Sequence, residues 1–205
     1  MATLARNALT TPARIRMLQA GFGQEPDSRL AFFIDRASGD IVSALDRILR
    51  RATYRELVTP SGSQELLLRQ WPIVSVEQVL QDGIEISPDR YSIEEGGILY
   101  KDDGWLWSGY PRGLAYDPRA ARRDVTVLYT AGYVLPKDAT DDDPSTLPAD
   151  LEGLCMEMVT TAIGKMQTGG SAGLKSFGIS DVRWEWTTEA PASWQATLDR
   201  YKRWA

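Results

Sequence analysis

The chain is predicted to be α+β: helices, then a meander of short antiparallel strands, then helices again. Three observations predict this. Apolar residues recur at helical spacing from residue 28 to 51, again from 148 to 166, and once more near the C-terminus. Between residues 54 and 129 they alternate with period two over short stretches separated by turn residues. The two textures are segregated along the chain, helices first, sheet in the middle and helices last. With 205 residues the chain suits a single domain, 1–205, with N-terminal helices in 1–51, an inserted β region in 52–135, and C-terminal helices with an extended arm in 146–205.

Thr11-Pro12 starts the first helix, with Pro at its first position, and Gly21 and Gly23 end it. A second helix starts at Asp27 or Ser28. Leu30, Phe33, Ile34, Ala37, Ile41, Leu45, Ile48 and Leu49 carry it as far as Arg51, with Gly39 marking a bend or a close approach. Strands are expected at Tyr54–Val58 and Glu65–Arg69. Pro72 cannot donate to a ladder and so marks a corner before the strand from Val74 to Gln81. Asp82-Gly83 is a two-residue hairpin turn with Ile84 and Ile86 alternating on the return. Tyr91 and Ile93, then Ile98 and Tyr100, flank Gly96-Gly97, and Val125, Val127 and Tyr129 form the last strand of the sheet. Pro148 opens a third helix whose apolar stripe runs through Leu151, Leu154, Cys155, Met158, Ala162, Ile163 and Met166. Val182, Trp184 and Trp186 alternate as a late strand or arm. Pro191 then opens a final helix with Trp194, Leu198 and Tyr201 at i, i+4 and i+7.

Composition excludes several chemistries. There is no histidine, which removes the commonest general base and the commonest zinc ligand. A single cysteine forms no internal disulfide, the N-terminus shows no leader-like apolar core, and no window nears eighteen apolar residues, so a soluble intracellular protein is expected. A net charge of -5 opposes bulk attraction to nucleic acid.

The remaining candidates each have a plain rival. Asp138, Asp141, Asp142 and Asp143 are the right ligands for calcium but lack the alternating spacing and central glycine of a calcium loop, so a solvated linker is favoured. Cys155 lies on an apolar helix stripe with no base to activate it. Gly169, Gly170 and Gly173 follow a helix where a phosphate cradle would precede one. Glu94-Glu95 and Asp102-Asp103 are adjacent pairs that point to opposite faces of a strand. No catalytic residue, cofactor or metal is assigned, and an enzyme is not expected.

Two segments combine aromatic and basic residues. Residues 103–123 interleave Trp105, Trp107, Tyr110 and Tyr116 with Arg112, Arg119, Arg122 and Arg123. Such a mixture fits a protein–protein hot spot, and equally a single-strand nucleic-acid surface; the acidic total charge favours the protein partner, with ordinary packing against the sheet as the next reading. The C-terminus is similar: Arg200, Lys202 and Arg203 suit the negative end of a helix dipole, which is the preferred reading, while Trp204 near the end needs somewhere to dock, in its own core or in a neighbour.

The order of the pieces then carries a resemblance. LAFFIDRASGDIVSALDRIL leads into YRELV. LLLRQWPIVSVEQVLQDG follows, then a meander ending VTVLYTAGYVLP, a helix opening LPADLEGLCMEMV, and a terminal helix. Over nearly its whole length the chain resembles the head–tail connector proteins of long-tailed bacteriophages, also called adaptor or head-completion proteins. The Leu-Leu-Leu-Arg to Pro72-Ile73 corner and the Tyr129–Tyr133 segment followed by Leu147–Leu151 are its most specific parts.

The resemblance implies a helical bundle with an inserted sheet. It also implies a homo-oligomeric ring, twelvefold in that family, seated beneath the portal of a DNA-filled capsid. One surface would meet the portal and the other a stopper or tail-completion protein, with DNA passing through the lumen in transit. The setting would be the virion neck, and the host cytoplasm during assembly. On that reading Trp194, Leu198, Tyr201, Lys202, Arg203 and Trp204 are the portal-docking candidates. Trp105, Trp107, Tyr110, Arg112, Tyr116, Arg119, Arg122 and Arg123 are the candidates for subunit or neck contacts. The alternative from another class is a small nucleic-acid-binding module using Trp105, Trp107, Arg119, Arg122 and Arg123.

Overall fold

A computed structural model describes residues 3–18, 21, 23–105, 125–167, 176–179, 182–185 and 191–202. Its elements in chain order are α1 (Pro12–Leu18), α2 (Asp27–Leu45), β1 (Ala52–Val58), β2 (Glu65–Leu67), β3 (Ile73–Gln81), β4 (Ile84–Glu85), β5 (Ser92–Glu94), β6 (Ile98–Tyr100), β7 (Val125–Ala131), α3 (Ala149–Gln167), β8 (Ser176–Ile179), β9 (Val182–Glu185) and α4 (Ala192–Tyr201). The class is therefore α+β with antiparallel sheets. The chain divides into two compact units, one formed by Met1–Asp46 with Val134–Ala205 and the other by Arg47–Tyr133.

The first unit is helical. Pro26 caps α2 in an extended conformation, and its carbonyl accepts the amides of Arg29 and Leu30. Arg16, near the end of α1, donates to Asp27 at 2.6 Å and to the Glu25 carbonyl at 2.7 Å, clipping α1 to the start of α2. Leu30, Phe33, Ile34, Ala37 and Ile41 form one buried face of α2, which packs on α3. α3 answers with Leu151, Leu154, Cys155, Val159 and Ile163. Burying such side chains supplies about 1.5–3 kcal/mol each relative to exposure. Two polar groups fix the N-terminal segment to this pair. The Ser38 hydroxyl accepts the Leu9 amide at 3.0 Å, and buried Glu152 accepts Thr10 Oγ1 at 3.0 Å and is ion-paired with Arg14.

The helix α2 is shorter than its apolar spacing predicts. It stops at Leu45, where Asp46 takes a left-handed conformation (φ 49) and its amide bonds back to Ser43. Ile48 and Leu49 thus lie outside the helix. Nor is Gly39 closely approached: a Cβ there would meet nothing within 4 Å. The late strand is present as β9, which pairs antiparallel with β8 from Ser176↔Glu185 to Ile179↔Val182. Trp186, expected to continue it, and the glycines at 169, 170 and 173 lie outside the described residues.

The second unit holds two sheets, ordered β1-β7-β3-β4 and β2-β6-β5. This is not a meander. The last strand, β7, lies between β1 and β3, pairing Ala52↔Ala131 through Val58↔Val125 on one side and Ile73↔Ala131 through Gln81↔Val125 on the other. Register shifts between Ile73/Ser75 and Val76/Gln78 bend β3. The core of this unit joins Leu66, Leu68, Val79, Leu99, Trp105, Val125, Val127, Tyr129 and Ala131.

The corner at Leu66–Pro72 is fastened to the sheet by polar groups. Leu66 and Leu68 point inward and Leu67 outward. The Glu56 carboxylate accepts the Arg69 amide at 3.0 Å and the Tyr129 hydroxyl at 2.6 Å. The Gln70 amide donates to that same hydroxyl oxygen at 3.2 Å, while the buried Gln70 side chain accepts the Ile48 amide at 2.9 Å. The Trp71-Pro72 bond is cis, and the Arg47 guanidinium lies over the Trp71 ring at 3.4 Å from its centroid. The corner is structural: every polar group named here binds the backbone or another side chain of the same unit.

Candidate assembly surfaces

In the first unit, α4 brings its stripe onto α2 and α3. Trp194, Leu198 and Tyr201 are each half-buried, as is Lys202. The Tyr201 hydroxyl donates to Asp150 Oδ1 at 2.6 Å, and Arg200 approaches Asp150 Oδ2 at 3.4 Å. Asp150 lies in the first turn of α3, where a carboxylate also suits the positive end of the helix dipole. Lys202 donates to Asp199 at 3.0 Å and Gln195 to the same oxygen at 2.6 Å; these bonds hold the Asp199 carboxyl below its ordinary value. Four of the six portal-docking candidates thus share one short helix and its end, with Tyr201 already tied to α3. Arg203 and Trp204 lie outside the described residues.

Beside α4 the helices leave a groove of about 380 Å³. Phe33 and Ala37 of α2, Met158, Ala162 and Met166 of α3, and Trp194 of α4 make its apolar wall, and Arg36, Asp40, Thr161 and Lys165 make its polar edge. The Trp194 indole N–H is shielded from solvent and has no acceptor among the described residues. Most of this groove is not legible in the sequence. Met166 continues the core-like stripe of α3 in sequence, yet it is 52% exposed. Phe33 lines it while largely buried, and its exposed neighbour Phe32 does not line it.

In the second unit the structure corrects one candidate. Trp105 is fully buried in the sheet core. Its indole donates to the Leu99 carbonyl at 3.0 Å, and its backbone amide and carbonyl bond Ser63 and Gly62 at 2.8 and 3.1 Å. The Tyr91 ring lies 6.4 Å away, and Lys101 Nζ is 5.6 Å from the indole centroid while it donates to the Gly104 carbonyl. Trp105 therefore belongs to the core and not to a subunit, neck or nucleic-acid surface. Trp107, Tyr110, Arg112, Tyr116, Arg119, Arg122 and Arg123 lie outside the described residues.

Several of the carboxylates singled out in the sequence have local partners. Lys137 donates to Asp138 at 2.8 Å, and Thr140 and Asp143 close a turn through Thr140 Oγ1 at 3.0 Å. Asp103 is paired with Lys101 at 3.0 Å and Arg90 at 2.9 Å, and these partners lower its carboxyl from the usual value. Among the described residues, no three or more His, Cys, Asp or Glu side chains converge on a point that could hold a metal ion. No helix among them is long and apolar enough to cross a membrane.

Cys155 is buried between α3 and α2, 3.6 Å from the Ser38 hydroxyl. Burial pushes its thiol up to about 12, with Glu152 and Asp35 adding to the rise and Ser38 opposing it. The native protein is therefore expected to resist maleimide at neutral pH and to react only as it unfolds; rapid stoichiometric labelling of the native chain would contradict the packing. Because the folded value lies above the ordinary 9.0, the neutral thiol favours the fold below pH 9 and that contribution is lost as pH rises toward 12. Alkaline melts should show a larger loss over that window in wild type than in Cys155→Ala, where the raised hydroxyls of Tyr129 and Tyr91 still contribute.

These features define a class: an α+β chain with antiparallel sheets, divided into two compact units. No protein-family model matches the chain, and no curated protein sequence does. Two solved structures contain chains similar to it along its whole length. One comes from the neck of an empty gene transfer agent particle computed with C6 symmetry, at 16% identity, covering 100% of this chain and 94% of that one, with a TM-score of 0.52. The other comes from the virion of a native gene transfer agent particle, at 16% identity and the same coverages, with a TM-score of 0.53. At this identity the likeness is one of fold. The connector resemblance seen in the order of sequence elements is thus met by a full-length likeness in fold to a chain of a virion neck.

Proposed function

We propose that the chain is a structural component of a phage-like virion neck. In this reading it is an adaptor whose copies form a ring between the capsid portal and the tail or stopper, with DNA passing through the lumen. The observation that carries the reading is the full-length similarity to a chain of a gene transfer agent neck. The division of the chain supports it, because the helical unit is interrupted in sequence by the sheet unit, as the connector resemblance implies. The ring would hold twelve copies, the number in that family, and would join the neck in the host cytoplasm during assembly.

Within this reading α4 and its end supply the portal contact through Trp194, Leu198, Tyr201, Lys202, Arg203 and Trp204. Trp107, Tyr110, Arg112, Tyr116, Arg119, Arg122 and Arg123 supply subunit or neck contacts, without the buried Trp105. The acidic total, net -5, suits a lumen that lets the duplex slide without gripping it. Burial of Trp105 also takes away one of the five residues on which a nucleic-acid-binding module would rely.

Co-sedimentation with the portal protein of the same particle tests the reading. The chain is expected to travel with the portal, and Lys202→Glu should weaken that association without unfolding the helical unit. A chain that stays behind at high concentration would overturn it.

A further inference from the structure

A docking helix that is fixed in advance loses less freedom on binding. We propose that Asp150, at the start of α3, is the positioning residue that fixes α4 and its end for the portal contact. The role rests on the portal reading above and adds a residue that is not itself among the docking candidates.

Helix α4 cannot hold its own place. It has 10 residues, none of them fully buried, and isolated helices shorter than about 12–15 residues are marginal in water. At its start Trp194 shares the groove with Lys165 and Met166 from the end of α3. At its end Tyr201 bonds Asp150 in the first turn of α3, so α4 lies antiparallel along that helix. This far end matters most, because Lys202, Arg203 and Trp204 leave from it. Two contacts there meet a single carboxylate. The Tyr201 hydroxyl donates to Oδ1 at 2.6 Å, a charge-assisted bond, and Arg200 Nη1 lies 3.4 Å from Oδ2. The Arg200 side chain is 64% exposed, so water and salt screen its share and the tyrosine bond carries most of the tie. The same Oδ1 accepts the Leu151 amide at 3.0 Å, which steadies the carboxylate itself. Lys202 and Gln195 instead bond Asp199 within α4, which shapes the helix without placing it.

Equilibrium binding of the full chain to the portal of the same particle tests this role, with hydrogen exchange on the free chain as the second readout. Asp150→Ala should weaken portal association by about tenfold, the size expected for losing one hydrogen bond to a charged group. It should also speed amide exchange in 192–202, while α2 and α3 beyond its first turn exchange as in wild type. Asp150→Asn, which keeps an acceptor for the phenol, should recover most of the loss. Because Asp150 acts through Tyr201, adding Asp150→Ala to Tyr201→Phe should cost no more than Tyr201→Phe alone. Additive losses would mean that Asp150 touches the portal itself. An unchanged affinity, with or without faster α4 exchange, would mean that docking does not need α4 held. Either result overturns the role while the portal reading stands. Faster exchange throughout the helical unit would reduce Asp150 to a stability residue and overturn it too. If wild type does not bind the portal, the portal reading fails and this role with it.

Discussion

Replacing Trp105 by Ala should destabilise the sheet unit by about 3–5 kcal/mol, the range for emptying a fully buried aromatic site. The side chain fills the centre of the core that Leu66, Leu99, Val127 and Tyr129 complete, and its N–H satisfies the Leu99 carbonyl. Trp105→Phe keeps most of the volume and loses the hydrogen bond, so a smaller loss of about 1 kcal/mol is expected. Urea denaturation followed by circular dichroism measures both. The result also separates two roles for this residue. A partner anchor would leave stability intact and weaken association, whereas a core residue lowers stability first.

Gly132→Val should be comparably damaging, for a backbone reason. Gly132 has φ 100, where a side chain is strained at about 1–3 kcal/mol. A Cβ there would also lie 2.7 Å from the Arg50 carbonyl oxygen and 2.8 Å from that of Leu49. Neither obstacle is a flexible side chain. Both carbonyls belong to the segment that runs beside Gly132, where Tyr133 donates to Leu49 at 2.7 Å and Arg51 donates to Tyr133 at 2.7 Å. A loss of about 3 kcal/mol or more is expected, read as a lower urea midpoint. An unchanged midpoint would show that this crossing is loose.

Much of the fold is legible in the sequence because its punctuation is local. Pro12, Pro148 and Pro191 each stand at the beginning of a helix, and Asp82-Gly83 makes the hairpin its sequence announces. The end of α2 is not legible. Ile48 and Leu49 continue the apolar spacing, and the stop comes from Asp46 in a left-handed conformation, with no Gly or Pro to mark it. The sheet order is illegible for another reason. Turn residues report neighbouring strands, while β1–β7 and β2–β6 join segments far apart in the chain.

The surfaces divide in the same way. The spacing of Trp194, Leu198 and Tyr201 foretells a stripe on α4, and that helix lies on α2 and α3. It does not foretell that Tyr201 bonds Asp150, because that partner is fixed by tertiary packing. Trp105 misleads because a tryptophan among arginines has the composition of a contact surface. The Lys101–Gly104 turn instead folds its indole back over Leu99. The groove, in turn, is made by residues from three helices and has no contiguous sequence signature.

The ring proposed for the virion neck is open to direct observation. Electron microscopy of the full chain mixed with the portal of its own particle tests it most directly. A closed ring seated coaxially on the portal is expected, with the α4 end against it and an open lumen. A portal that remains bare at saturating chain concentration would contradict it.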